Sequence, residues 1–132
     1  MFEVTARLKI RDGALAGFKE QAAEMMRQTR AKDTKTLRYD WFLSLDGREC
    51  EVRESYVDAD ALIEHAQNIA EARDKLFRDF AYDHEMTIYG EPTPAFSQLM
   101  ERLAGVVPFR RLSLLQGFDV EADARDKPAA LA

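Results

Sequence analysis

An α+β fold, one antiparallel sheet with its helices on a single face, is predicted by three features of the sequence. Residues 2–10 alternate strictly between apolar positions (Phe2, Val4, Ala6, Leu8, Ile10) and polar ones (Glu3, Thr5, Arg7, Lys9), the period of a half-buried strand. Residues 37–57 read as two strands folded over Asp46-Gly47, a pair that suits the positive φ angles of a tight hairpin turn. Elsewhere, apolar residues recur every three or four positions, the spacing of helices with one buried stripe. The resulting order, β-α-β-β-α-α-β, is that of a split βαβ or ferredoxin-like sheet.

After the first strand, Asp12 is expected to cap a helix whose inward residues are Leu15, Phe18, Ala22, Met25, Met26 and Thr29, ending in the polar stretch 30–35. A two-residue hairpin loop then sets the register: Leu45 faces Arg48, Leu43 faces Cys50, Trp41 faces Val52, Tyr39 faces Glu54 and Leu37 faces Tyr56. That side is mostly apolar and aromatic and is expected to face the core. It carries one acid, Glu54. The opposite side pairs Phe42 with Glu51 and Asp40 with Arg53.

Asp58 is the expected cap of a short helix with Leu62, Ile63 and Ala66 inward and His65 beside them. Asn68 and Glu71 have the spacing of a capping box, which predicts a break and a third helix burying Ile69, Leu76, Phe77 and Phe80. Residues 82–90 return to a strand with Met86 and Ile88 on one side. Thr93-Pro94 opens a further helix with the stripe Phe96, Leu99, Met100 and Leu103, and a strand-like run in 109–118 is suited to extending a sheet edge. One domain is expected over 1–118, with its core in 2–90 and a helix-strand extension in 91–118, followed by a polar, alanine-rich tail at 119–132 read as disordered.

Composition narrows the function. A net charge of −5 argues against a nucleic-acid footprint. Met1 leads directly into the first strand, without a basic leader or a long apolar run, so a cytoplasmic protein with no membrane span is expected. The single cysteine, Cys50, is placed by the hairpin register on the apolar side, as a small buried hydrophobe. His65 and His84 lie far apart in sequence and suggest no metal ligand set; His84 is expected at the surface. The sheet face opposite the helices mixes Arg7, Arg38, Asp40, Arg53, Phe42 and Tyr89, which suits either solvent or a second sheet.

Several segments resemble the antibiotic biosynthesis monooxygenase superfamily: VTARLKIRDG at 4–13, the helix containing Phe18 and Lys19, LRYDWF at 37–42, ESYVD at 54–58 and ALIEH at 61–65. The resemblance covers about residues 2–90. It implies a ferredoxin-like protomer that forms a homodimer by facing sheets, a dimeric α+β barrel. Characterised members oxygenate phenols or quinols with dioxygen and neither metal nor flavin, so no cofactor is expected; others degrade haem. The haem-degrading pattern of a first-strand asparagine, a tryptophan after the third strand and a later-helix histidine is not matched here, where Thr5 and Tyr56 stand and no histidine lies between Asn68 and Asp83.

Oxygenation without a cofactor needs a base that deprotonates an electron-rich phenol and an apolar pocket that shelters the reactive intermediate. On this reading the pocket lies between the hairpin's core side and the second helix. His65 is the candidate base, and Glu54 either orients it or acts as the base itself if burial raises its pKa. Tyr39, Trp41 and Tyr56 would wall the substrate site. Plainer assignments exist: His65 as a structural residue at the edge of a stripe, Tyr39 and Trp41 as core, and Glu54 paired with Arg7 or Arg38 if the register slips. The other function these residues suit is a dimeric module that binds or senses a small apolar ligand without chemistry.

Overall fold

The computed structural model describes residues 1–121. Its elements are β1 (Phe2–Ile10), α1 (Leu15–Lys32), β2 (Thr36–Leu43), β3 (Glu49–Tyr56), α2 (Ala59–Asn68), α3 (Ala70–Asp79), β4 (Ala81–Tyr89), α4 (Pro94–Leu103) and β5 (Phe109–Leu112). They build one five-stranded sheet in the order β2-β3-β1-β4-β5, the α+β fold expected. β1 is central and antiparallel to both β3 and β4. β5 runs parallel to β4 and extends the protomer's own sheet edge. The tail read as disordered falls largely on residues 122–132, outside those described.

Alternation along β1 sends Phe2, Val4, Ala6, Leu8 and Ile10 under the helices, where each is buried. The apolar interior divides in two. One cluster gathers Leu8, Phe18, Met25, Val52 and Leu76 beneath α1 and α3, and the other gathers Phe2, Tyr56, Leu62, Ile88 and Phe96 beneath α2 and α4. α1 approaches the C-terminal end of α3 closely at Gly17, where any Cβ would meet the Phe80 ring. α2 and α4 start on the expected caps, the Asp58 carboxylate accepting from Ala61 N at 2.9 Å and the Thr93 hydroxyl from Phe96 N at 3.2 Å.

Five local expectations are corrected. Asp12 caps nothing; α1 begins after Gly13 (φ 76°) and Ala14 without a side-chain cap, and Gln21, bonded to Ala72 O at 2.8 Å, is buried instead of Ala22. Asn68 does not cap α3, whose N-cap is Ile69. Leu37 bulges out of the β2–β3 ladder, so Thr36 faces Tyr56 and Leu37 is exposed. The hairpin turn is not a two-residue one. Gly47 N bonds to Ser44 O at 3.0 Å and only Gly47 (φ 71°) has a positive φ, so four residues, 45–48, separate the paired Ser44 and Glu49, and Leu45 points to solvent. Both loops hold an even number of residues, so Leu43–Cys50, Trp41–Val52 and Tyr39–Glu54 pair as expected. Last, His84 is not a surface residue. A bulge at Asp83 (φ 53°) lets both Ala81 and His84 face the helices, and the imidazole stacks on Phe77 at 4.7 Å, with burial lowering its pKa to about 4.

No helix among the described residues is long and apolar enough to cross a membrane. Cys50 is 1% exposed, and burial pushes its thiol up to about 11.

Candidate active site

The seam between the two apolar clusters holds a chain of polar side chains. β3 crosses it: Val52 belongs to one cluster, Tyr56 to the other, and Glu54 lies between them on the helix-covered side, opposite Tyr39 and Val4. Glu54 is 6% exposed, and the Tyr56 hydroxyl donates a short hydrogen bond to its Oε1. From α2, above the sheet, His65 brings its Nε2 to 4.0 Å from the same oxygen. The imidazole is 2% exposed and lies edge-on to Tyr39, ring centroids 4.5 Å apart, with Tyr56 at 5.7 Å on another side.

Behind His65 stands a residue the local pattern did not single out. Asp33 follows α1 directly, and its Oδ2 is 2.7 Å from His65 Nδ1 and accepts from Thr36 Oγ1 at 2.6 Å, while its Oδ1 accepts from Asn68 Nδ2 at 2.9 Å. In sequence, 30–35 is a polar helix tail and Asn68 a cap. The one clue is that a carboxylate at a helix C-terminus sits against the negative end of the helix dipole, and so needs donors from elsewhere.

Burial sets the charges. It pushes the Glu54 carboxyl up to about 7, with the Asp33 charge acting in the same direction and the Tyr56 hydroxyl against it. Burial also lowers the His65 pKa below its ordinary 6.5, more than the hydrogen bond and charge of Asp33 raise it. For Asp33 burial acts upward, but bonds from Thr36, Asn68 and His65 outweigh it and keep the carboxyl below its ordinary 3.8. Burial, with the charges of Glu54 and Asp33, holds both tyrosine hydroxyls well above 10, so they remain donors. Near neutrality the seam thus contains an ionised Asp33, a neutral imidazole and a carboxyl poised between its two forms. Such a set can take a proton and return one.

Glu54, Tyr56, His65 and Tyr39 therefore come together, whereas Trp41 does not join them. Its indole packs on Phe18 at 5.9 Å and Tyr39 at 5.7 Å, and its N–H is buried without a partner. Trp41 instead lines an open groove of about 490 Å³ between α1 and β2, with Ala22, Ala23, Met26, Tyr39 and Phe42. A second groove, about 600 Å³ between α1 and α3, has a charged lining that touches the seam only at Asn68. Neither groove is lined by Glu54 or His65, and both of these side chains are buried in the protomer. Glu54 does not slip to the charged face; Arg7 pairs with Glu51 at 3.0 Å and Arg38 with Asp40 at 3.1 Å. Among the described residues no group of three or more His, Cys, Asp or Glu side chains is arranged to hold a metal ion.

The profile of the antibiotic biosynthesis monooxygenase family matches residues 1–81. Among solved structures, the chain is similar to MupZ from Pseudomonas fluorescens at 26% identity and a TM-score of 0.75, over 92% of this chain and 90% of that one. A match of that extent cannot fit within residues 1–90, so it takes in the α4–β5 extension. Rv0793 from Mycobacterium tuberculosis is also 26% identical, with a TM-score of 0.59 over 71% of this chain and 97% of its own. A crystallised antibiotic biosynthesis monooxygenase, 20% identical with a TM-score of 0.61 over 71% of this chain and all of its own, speaks for the fold alone. No curated protein matches. With more than half of its length matched by the profile, the chain belongs to the antibiotic biosynthesis monooxygenase family.

Proposed function

We propose that the protein is a cofactor-independent monooxygenase of a small phenol or quinol. The observation that carries this reading is the buried pairing of a neutral imidazole with a carboxyl of pKa about 7, each in reach of a proton moving near Glu54 Oε1. His65 or ionised Glu54 takes the phenolic proton, and the electron-rich phenolate passes an electron to dioxygen. The reaction balances without an outside reductant: a phenol with a free para carbon and one dioxygen give a quinone and one water. Four electrons pass from the ring to dioxygen; one oxygen atom enters the ring, and the other leaves as water with the carbon-bound hydrogen and the phenolic hydrogen. Apolar surroundings at the seam shelter the radical pair from solvent, and Tyr56, through its hydroxyl, and Tyr39, through its ring, hold the two acid–base groups in place.

Oxygen uptake with a panel of quinols and hydroxylated aromatics tests the proposal, with one labelled atom from ¹⁸O₂ expected in the organic product. A second reading, a ligand-binding module without turnover, is favoured by the burial of Glu54 and His65 and by the open aromatic groove at Tyr39 and Trp41. It is distinguished by thermal stabilisation with the same compounds and no oxygen consumption.

The same proposal includes a homodimer formed by facing sheets. Its support is the sheet face that no helix covers among the described residues, where exposed Phe42 and Tyr89 lie among the Arg7–Glu51 and Arg38–Asp40 pairs. Isolated surface pairs of this kind stabilise a monomer little, and a face that mixes both signs is of the kind that can meet its own copy across a two-fold axis. Sedimentation at micromolar concentration should show a species of twice the chain mass, and a monomer there would refute the dimer.

A further inference from the structure

We propose that Asp33 is the positioning residue of the site: its carboxylate takes the Nδ1–H of His65 and so holds the imidazole in one tautomer, with Nε2 left as the acceptor turned toward Glu54. The inference starts from an interlock of two short motifs. Asp33 and Thr36 are three residues apart at the α1–β2 junction, and His65 and Asn68 are three apart on one face of α2, so that Thr36, His65 and Asn68 all converge on one carboxylate. That carboxylate retains 4% of its side-chain exposure. An ionised carboxylate only accepts hydrogen bonds, so at 2.7 Å the proton between Asp33 and His65 belongs to Nδ1. In a neutral ring the other nitrogen then carries a lone pair, and that nitrogen lies 4.0 Å from Glu54 Oε1.

The ring contacts cannot make this choice. Tyr39, T-shaped at 4.5 Å, and Tyr56, tilted at 5.7 Å, pack the imidazole in place, but neither ring offers Nδ1 a carboxylate acceptor. The charged and titratable groups facing His65 are Asp33 from the α1–β2 junction, Tyr39 from β2, Glu54 and Tyr56 from β3, and the more distant positive charge of Arg73 from α3. Of these only Asp33 is within hydrogen-bond distance of Nδ1. It also explains why a buried anion is kept at a helix C-terminus, where the dipole opposes it.

The role of Asp33 in turnover rests on the proposed reading of His65 as the base, whereas the tautomer does not. ¹⁵N NMR of the full chain at pH 8 reads the tautomer directly. The sequence has two histidines, so a His84→Gln sample assigns the spectrum. The parent protein should show His65 with a protonated, pyrrole-type Nδ1 and a bare, pyridine-type Nε2. In Asp33→Asn, whose amide can offer Nδ1 either an N–H or a C=O, the signals should move toward a mixture of tautomers, and kcat on an accepted quinol should fall at least about tenfold with KM within about twofold. An Nε2–H tautomer in the parent, or an unchanged Nδ1–H population in Asp33→Asn, overturns the proposal. If Asp33→Asn fails to fold, Thr36→Val and Asn68→Ala each remove one other bond to the carboxylate, and both should keep the parental tautomer. A parent without turnover on any phenol overturns the reaction, and the NMR result then decides the role of Asp33 by itself.

Discussion

Glu54→Gln is expected to make the protein more stable than the parent by about 3 kcal/mol at pH 8 and to leave the two nearly equal at pH 4.5. Burial puts the Glu54 pKa at about 7, against an ordinary 4.5 in the unfolded chain. Between those values the folded protein holds a proton that the unfolded chain has released, so stability falls as pH rises through the window and stays at the lower level above 7. About 2.5 pKa units at about 1.4 kcal/mol each gives the size of the effect. Glutamine carries no charge to desolvate and keeps a carbonyl for the Tyr56 hydroxyl. His65 and Asp33 have the opposite slope. The His65 pKa is lowered, so its neutral form favours folding above the ordinary 6.5 and stability is lost as pH falls below it; the lowered Asp33 gives stability above 3.8 that is lost as pH falls toward its folded value. Both are present in parent and variant, so the difference in urea midpoint between the two proteins at pH 4.5 and pH 8 isolates Glu54. Identical midpoints at pH 8 would show that the carboxyl is not desolvated in solution.

His65→Ala should reduce kcat for quinol oxidation by about a hundredfold to ten-thousandfold, the usual worth of a positioned base. It should also cost about 2 to 4 kcal/mol of stability, because Asp33 loses a donor to a buried charge and the ring leaves a space between Tyr39 and Tyr56. His65→Gln separates the two effects. Its amide N–H can still reach toward Asp33, so part of the stability should return while turnover does not. Oxygen uptake by His65→Ala at the parental rate would remove His65 from the chemistry, whatever its effect on the denaturation midpoint.

Much of this architecture is legible in the chain itself. Strict alternation over residues 2–10 has one physical meaning, a strand with one buried side, and β1 is the central strand. The hairpin shows how far such reasoning carries. Its turn has four loop residues where two were expected, yet Glu54 still faces the helices, because an even loop preserves the side on which every paired residue lies. The placement of an acid on an apolar face was thus open to sequence reasoning, as was the nearness of His65 through the stripe on α2. Trp41 shares the alternation of Tyr39 and Glu54 but sits one pair farther along β2, where α1 and Phe18 cover it and direct it toward the α1–β2 groove.

Asp33 and Asn68 mark the boundary of that reasoning. Each has a sound local interpretation, a polar helix tail and a capping box, and both interpretations weigh only neighbours in sequence. Their bonds span |i−j| separations of 32 and 35 residues, and they form because the end of α1 and the α2–α3 break are packed side by side above the sheet edge. Side-chain direction follows from backbone period alone, so the order of residues is enough to say which side of each strand is buried and which residues share it. Which polar atoms meet in the seam was decided only by tertiary packing. Burying Glu54 and His65 away from water made hydrogen-bond partners necessary: Glu54 has Tyr56 two residues along its own strand, whereas His65 has Asp33, on an element distant in the chain.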